Sequence, residues 1–165
     1  MQLFGRNRDA RPDPRAVYLG LRRQALTLTP AALGRDAADG APVLAALLET
    51  RYPGAVATRV GVADGTTSLY FSNGGGMIGA GARSDVRAAT ARWLAVCGLQ
   101  LPQLAPLAEP DLPGEGYSRL LAVTPDGLFG ALAPTAALGE RRHVLSPLFF
   151  AAQGVITQVR LSQAA

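Results

Sequence analysis

Five glycines crowd the stretch TTSLYFSNGGGMIGAG, residues 66–81: Gly74, Gly75, Gly76, Gly79 and Gly81. Such a run can serve chemistry in one of two ways. Bare amides can cradle a phosphate, helped by the positive end of a following helix. Alternatively, the missing side chains let the main chain turn sharply and press against other backbone. Gly74-Gly75-Gly76-Met77-Ile78-Gly79 satisfies G-x-G-x-x-G, with a predicted strand before it and a predicted helix after it. Three features oppose a dinucleotide fingerprint. The helix starts only near Ser84, so the glycines miss its first turn. The preceding strand belongs to an antiparallel meander, not to a βαβ unit. No acidic residue ends a second parallel strand about 20 positions on. A Walker-type loop is excluded because the chain contains no Lys. A phosphate or nucleotide ligand would be held by the amides of Gly74, Gly75, Gly76, Gly79 and Gly81 with the side chain of Arg83. The surrounding pattern favours the conformational role, in which Met77 and Ile78 are laid into an apolar slot.

The other chemically capable residues form no set. His143 is the single histidine; as a general base it would need Ser146 or Asp126, and otherwise it is a loop residue after Arg141-Arg142. Cys97 is the single cysteine and lies on the apolar side of a predicted helix, the setting of an inert thiol. One His and one Cys far apart cannot hold a metal, and no cofactor is implied. Asp64, Asp85, Asp111, Asp126 and Glu140 have turn, cap or loop roles, while Asp36 and Asp39 share a loop and could pair. The net charge of +4 is carried entirely by arginine. Only Arg6, Arg8, Arg11 and Arg15 cluster, and no aromatic residues interleave with them. That footprint makes nucleic acid a disfavoured partner.

The elements that must position these residues follow from local signals. Residues 1–12 form a basic tail, and residues 13–165 one domain. Asp13-Pro14 caps and opens a helix over Pro14–Leu26, with Val17, Tyr18, Leu21, Ala25 and Leu28 at helical spacing. Thr29-Pro30 starts one more turn that Gly34 ends, and residues 34–42 are a loop. Val43–Thr50 is a short apolar run, with Val43, Leu44, Leu47 and Leu48, and reads as a buried strand, with a helix as the alternative. Ala55–Ala63 and Thr67–Phe71 alternate with a period of two around Asp64-Gly65, a hairpin signal. Ser84 caps a helix with Asp85 at its positive end, and Gly98 stops it. Residues 99–116 are an irregular, leucine-rich connector with Leu side chains tucked inward. Tyr117–Val123 and Leu128–Ala133 are strands about a Thr124–Gly127 turn, and Pro134–Leu145 is mostly loop. Ser146-Pro147 opens a last helix with a broad apolar stripe of Leu148, Phe149, Phe150, Val155, Ile156 and Val159.

The expected order is α–β–β–β–α–β–β–α: an α+β fold with a single five-stranded, mainly antiparallel sheet and helices packed on it. This arrangement is similar to profilin-like and roadblock/longin-type small domains. The segments RYPG, ADGTTSLYFSNGGGMIGAG, TPDGLFGAL and LSPLFFAAQGVITQVR resemble an uncharacterised bacterial family. That resemblance runs over most of the chain from about Pro14 and implies a free-standing domain, with no activity attached.

With 48% hydrophobic and 17% charged residues, the chain has the balance of a folded domain. No apolar run approaches the ~20 residues of a membrane span. The single cysteine and the lack of an apolar leader segment set the cytoplasm as the expected compartment. The function expected is a non-enzymatic domain acting through protein–protein contact, as a homodimer or with another protein. The dimer surface would be whatever part of the last helix's stripe the sheet leaves uncovered. The alternative is a phosphate- or nucleotide-binding sensor or weak enzyme using the glycine segment.

Overall fold

Asp13 and Pro14 open the first helix as the local chemistry requires. The Asp13 carboxylate accepts the Arg15 N–H at 3.2 Å, and Pro14 occupies a first-turn position where its missing N–H costs nothing. A computed structural model describes residues 11–34 and 40–164. Most of the basic tail and the Asp36/Asp39 pair therefore lie outside the described residues. Helix α1 spans Pro14–Leu26. Thr29 Oγ1 then accepts the Ala32 N–H at 3.2 Å, and a 3-10 turn over Ala31–Leu33 ends at Gly34 in the left-handed conformation.

The described residues contain one open sheet of seven strands, every pair antiparallel. They are β1 (Ala45–Tyr52), β2 (Ala55–Val62), β3 (Thr67–Phe71), β4 (Gly76–Met77), β5 (Ala105–Leu107), β6 (Tyr117–Thr124) and β7 (Gly127–Pro134). Their order across the sheet is β4-β3-β2-β1-β6-β7-β5. Four α-helices accompany them: α1, α2 (Ser84–Gln100), α3 (Thr135–Gly139) and α4 (Ser146–Gln163).

The fold is thus α+β with an antiparallel sheet, but with seven strands where the sequence pattern shows five. The two extra strands are the edges. β4 is two residues inside the glycine segment, and β5 is three residues inside the proline-spaced connector. Runs this short cannot display alternation. Pro106 is tolerated in β5 because an edge strand has a free side.

The sheet is covered on both faces. Ala46, Leu48, Leu120 and Ala122 point to a core built with Trp93 and Cys97 of α2 and Leu148, Phe149, Ala152, Val155 and Val159 of α4. Their neighbours in sequence, Ala45, Leu47, Leu121 and Val123, point to a second core with Tyr18 and Ala25 of α1. The central strand is consequently buried on both sides, which is why Val43–Leu48 is apolar without a period. Gly61 sets how closely α2 approaches: a Cβ there would stand 2.8 Å from the Trp93 ring.

Several boundaries differ from the local signals. Helix α2 passes through Gly98, which sits against Pro42, and ends at Gln100 before a 3-10 turn that contains Pro102. No side chain caps its start: Ser84 is the first helical residue, and the Asp85 carboxylate accepts the Val86 N–H at 2.9 Å. Ser146 likewise does not cap α4; its Oγ accepts the His143 N–H at 3.3 Å. Residues 134–145 contain the short α3. Within the connector, Leu104, Leu107 and Leu112 do tuck inward, but Leu99 projects outward at 81% exposure.

Candidate functional site

The glycine segment is dispersed by the fold. Gly74, Gly75 and Gly76 have φ of 107°, 84° and 141° and form the turn from β3 into β4, where the Gly75 carbonyl accepts the Phe71 N–H at 3.2 Å. Gly74 packs against Pro14 of α1. Gly79 and Gly81 lie on the far side of β4, beside the Asp64-Gly65 turn. Gly81 is buried, and a Cβ on it would fall 1.9 Å from the Gly65 carbonyl oxygen. The Arg83 side chain is exposed and reaches Asp85 at 3.4 Å. The structure therefore divides these six residues between two places. Met77 does pack against the α2/α4 core, whereas Ile78 is 66% exposed and occupies no slot.

The other candidates take structural positions. His143 Nδ1 accepts the Leu145 N–H at 3.1 Å, so the imidazole supports the entry to α4. Burial pushes the Cys97 thiol up to about 12, far from thiolate chemistry at neutral pH. Asp64 accepts the Thr66 N–H at 2.8 Å within its turn. The hydrogen bond from the Val86 N–H, then that from Arg83, holds Asp85 below the usual carboxylate range. Among the described residues, no group of three or more His, Cys, Asp or Glu could hold a metal ion. No helix among them is long and apolar enough to cross a membrane.

The strongest polar cluster brings together residues that the local pattern leaves apart. On the α1 face, Arg22 Nε and Nη2 donate to the two Glu49 oxygens at 2.5 and 3.0 Å, and Nη2 also donates to the Pro110 carbonyl at 2.9 Å. Thr58 Oγ1 lies 3.4 Å from Glu49 Oε1, and the Tyr18 hydroxyl lies 2.7 Å from Thr58 Oγ1. Burial alone would lower the Arg22 pKa, but the Glu49 carboxylate outweighs it and holds the guanidinium above its ordinary value. Burial raises the Tyr18 phenol, against the opposing pull of Thr58. One local signal marks this cluster: Glu49 is a carboxylate directly after the apolar run Val43–Leu48 and, once buried, must find a partner. Through Arg22, Glu49 and the Pro110 carbonyl, the cluster fastens α1 and the connector to the sheet.

An open cavity lies elsewhere. A groove of about 720 Å³ runs between α2 and the end of the sheet where β1 begins and β2 turns into β3. Val43, Val62 and Ala63 form one wall, and Ala88, Ala91, Leu94, Ala95 and Gly98 the other. At one end the Arg87 guanidinium donates to the Asp64 carbonyl at 3.1 Å. The wall formed by α2 continues outward: Ala88, Ala91, Ala95 and Leu99 are all exposed, with Arg87 and Arg92 as the charges among them.

The broad stripe of α4, by contrast, is consumed. Leu148, Phe149, Val155, Ile156 and Val159 are buried, and Phe150 lies half-buried under the Arg141 guanidinium, 4.0 Å from the ring centre. The surplus apolar surface expected on the last helix is instead on α2.

No family model, curated protein or solved structure matches the chain. Function must therefore be read from geometry.

Proposed function

We propose that this is a non-enzymatic domain that acts by binding protein, its own kind or another chain, through the exposed side of α2 and the groove beside it. One observation carries the reading: the outward side of α2 exposes Ala88, Ala91, Ala95 and Leu99, flanked by Arg87 and Arg92, and a cavity of about 720 Å³ with mainly apolar walls runs along it. Contiguous apolar surface of this kind is uncommon on a soluble monomer and marks a contact site. Small side chains at Ala88, Ala91 and Ala95 let a partner backbone come close. The expected element order resembles profilin-like and roadblock-like domains in arrangement, and a cytoplasmic setting fits the single buried thiol.

A photo-crosslinking residue at position 91 or 95 tests this in cells. Adducts should carry a second copy of the chain or one recurrent protein. Their absence at both positions, with the domain folded and abundant, would rule the reading out. Sedimentation velocity on the purified chain separates the two kinds of partner: dissociation of a dimer by Ala91→Glu identifies the groove as a self-contact.

A further inference from the structure

We propose that Arg59 anchors a second, separate site, for an oxyanion group, at the end of the sheet where β1 finishes and β2 begins. Arg59 lies on β2 between Leu48 of β1 and Leu69 of β3, on the face away from α1, and is 7% exposed. No carboxylate among the described residues forms an ion pair with it. Its Nη1 reaches Thr50 Oγ1 at 3.4 Å and its Nη2 the Tyr52 hydroxyl at 3.3 Å, while its Nε is buried without a partner. Both contacts are longer than an ordinary N–H···O bond. The contrast with Arg22 is internal to the molecule. Arg22 is equally buried and holds a carboxylate in a two-pronged grip plus a carbonyl. A buried guanidinium left in the state of Arg59 is expensive, and the missing element is a negative charge.

The neighbours fit an anion. Thr50 Oγ1 lies 3.1 Å from Ser118 Oγ, which lies 2.9 Å from Thr135 Oγ1, and each hydroxyl can turn to donate. Tyr52 is 43% exposed and brings the cluster to the surface. These side chains supply hydroxyls and one cation, with no carboxylate to repel the ligand. A planar guanidinium fork matches the paired oxygens of a carboxylate or phosphate. The ligand class is therefore a carboxylate or phosphate group, and the site is distinct from both the α2 groove and the glycine segment.

The test is an NMR titration of the Arg59 Nε–H resonance in the full chain with inorganic phosphate and, separately, acetate, using chloride at matched ionic strength as the control. A saturable shift with phosphate alone identifies a phosphate ligand, and one with acetate alone a carboxylate ligand. Tm should rise by about 4 °C at ten times Kd. Arg59→Met should abolish the Tm response and, by removing an unpaired buried charge, leave the anion-free protein at least as stable as before. Arg59→Lys, which keeps the charge and loses the fork, should bind at least tenfold more weakly. A resonance unmoved by either anion overturns the proposal, as does a Tm response that survives in both variants.

Discussion

Glu49 has no exposed side-chain surface and faces Arg22 across the gap between β1 and α1. Removing one member of such a pair strands the other charge in low dielectric. Glu49→Gln should therefore cost about 3 kcal/mol in urea unfolding. The double variant Arg22→Met/Glu49→Leu should lie closer to the parent than either single change, because it strands nothing. Cys97 offers a prediction in pH. Its folded pKa is raised to about 12, whereas an unfolded thiol ionises near 8.5. Below about 8.5 both states hold the proton and the thiol adds no pH dependence. Between there and 12 only the unfolded chain releases it, so stability falls as pH rises through that window. Cys97→Ala should flatten this part of the pH profile of chemical denaturation.

At the scale of elements, the glycine segment makes a turn and an edge strand. Gly81 does not need an unusual φ; it needs empty space against the Gly65 carbonyl. Gly81→Ala should cost about 2 kcal/mol by forcing backbone apart. Gly75→Ala meets no neighbouring atom and carries only the strain of its positive φ, so it should cost less. Equal losses in the urea midpoint would contradict this account. Helix α1 was legible to the residue because its signals, Asp13, Pro14 and the helical spacing, are all local. Strands β2 and β3 were legible by alternation around Asp64-Gly65. The edges β4 and β5 were not, because their pairing comes from β3 and β7 and not from their own residues. Gly98 shows the opposite error: it reads as a stop, but the helix continues because the spot is packed against Pro42.

At the scale of the whole molecule, two cores share one sheet. Trp93 belongs to the core under α2 and α4, and Tyr18 to the core under α1. Because β1 and β6 contribute alternate residues to both, neither core can persist without the other. Trp93 fluorescence and far-UV circular dichroism should therefore trace one coincident unfolding transition. An earlier loss of helical signal would show that α1 detaches separately. The outer side of α2 belongs to no core. Ala91→Glu and Ala95→Glu should leave Tm nearly unchanged, since both residues favour helix and the positions are exposed, while abolishing partner adducts.

What the amino-acid order determined by itself was local. It set the class of each long segment, the turn at Asp64-Gly65, the start of α1 and the inert placement of Cys97. These depend on caps, turn chemistry and periodicity, all exerted within a few residues. Tertiary structure alone decided who meets whom. Glu49 meets Arg22 from 27 positions away, Thr50 meets Ser118 from 68, and Arg59 meets no acid among the described residues. Such meetings follow from strand register and from which helix settles on which face. Those are properties of the assembled sheet, and no short run of the chain encodes them.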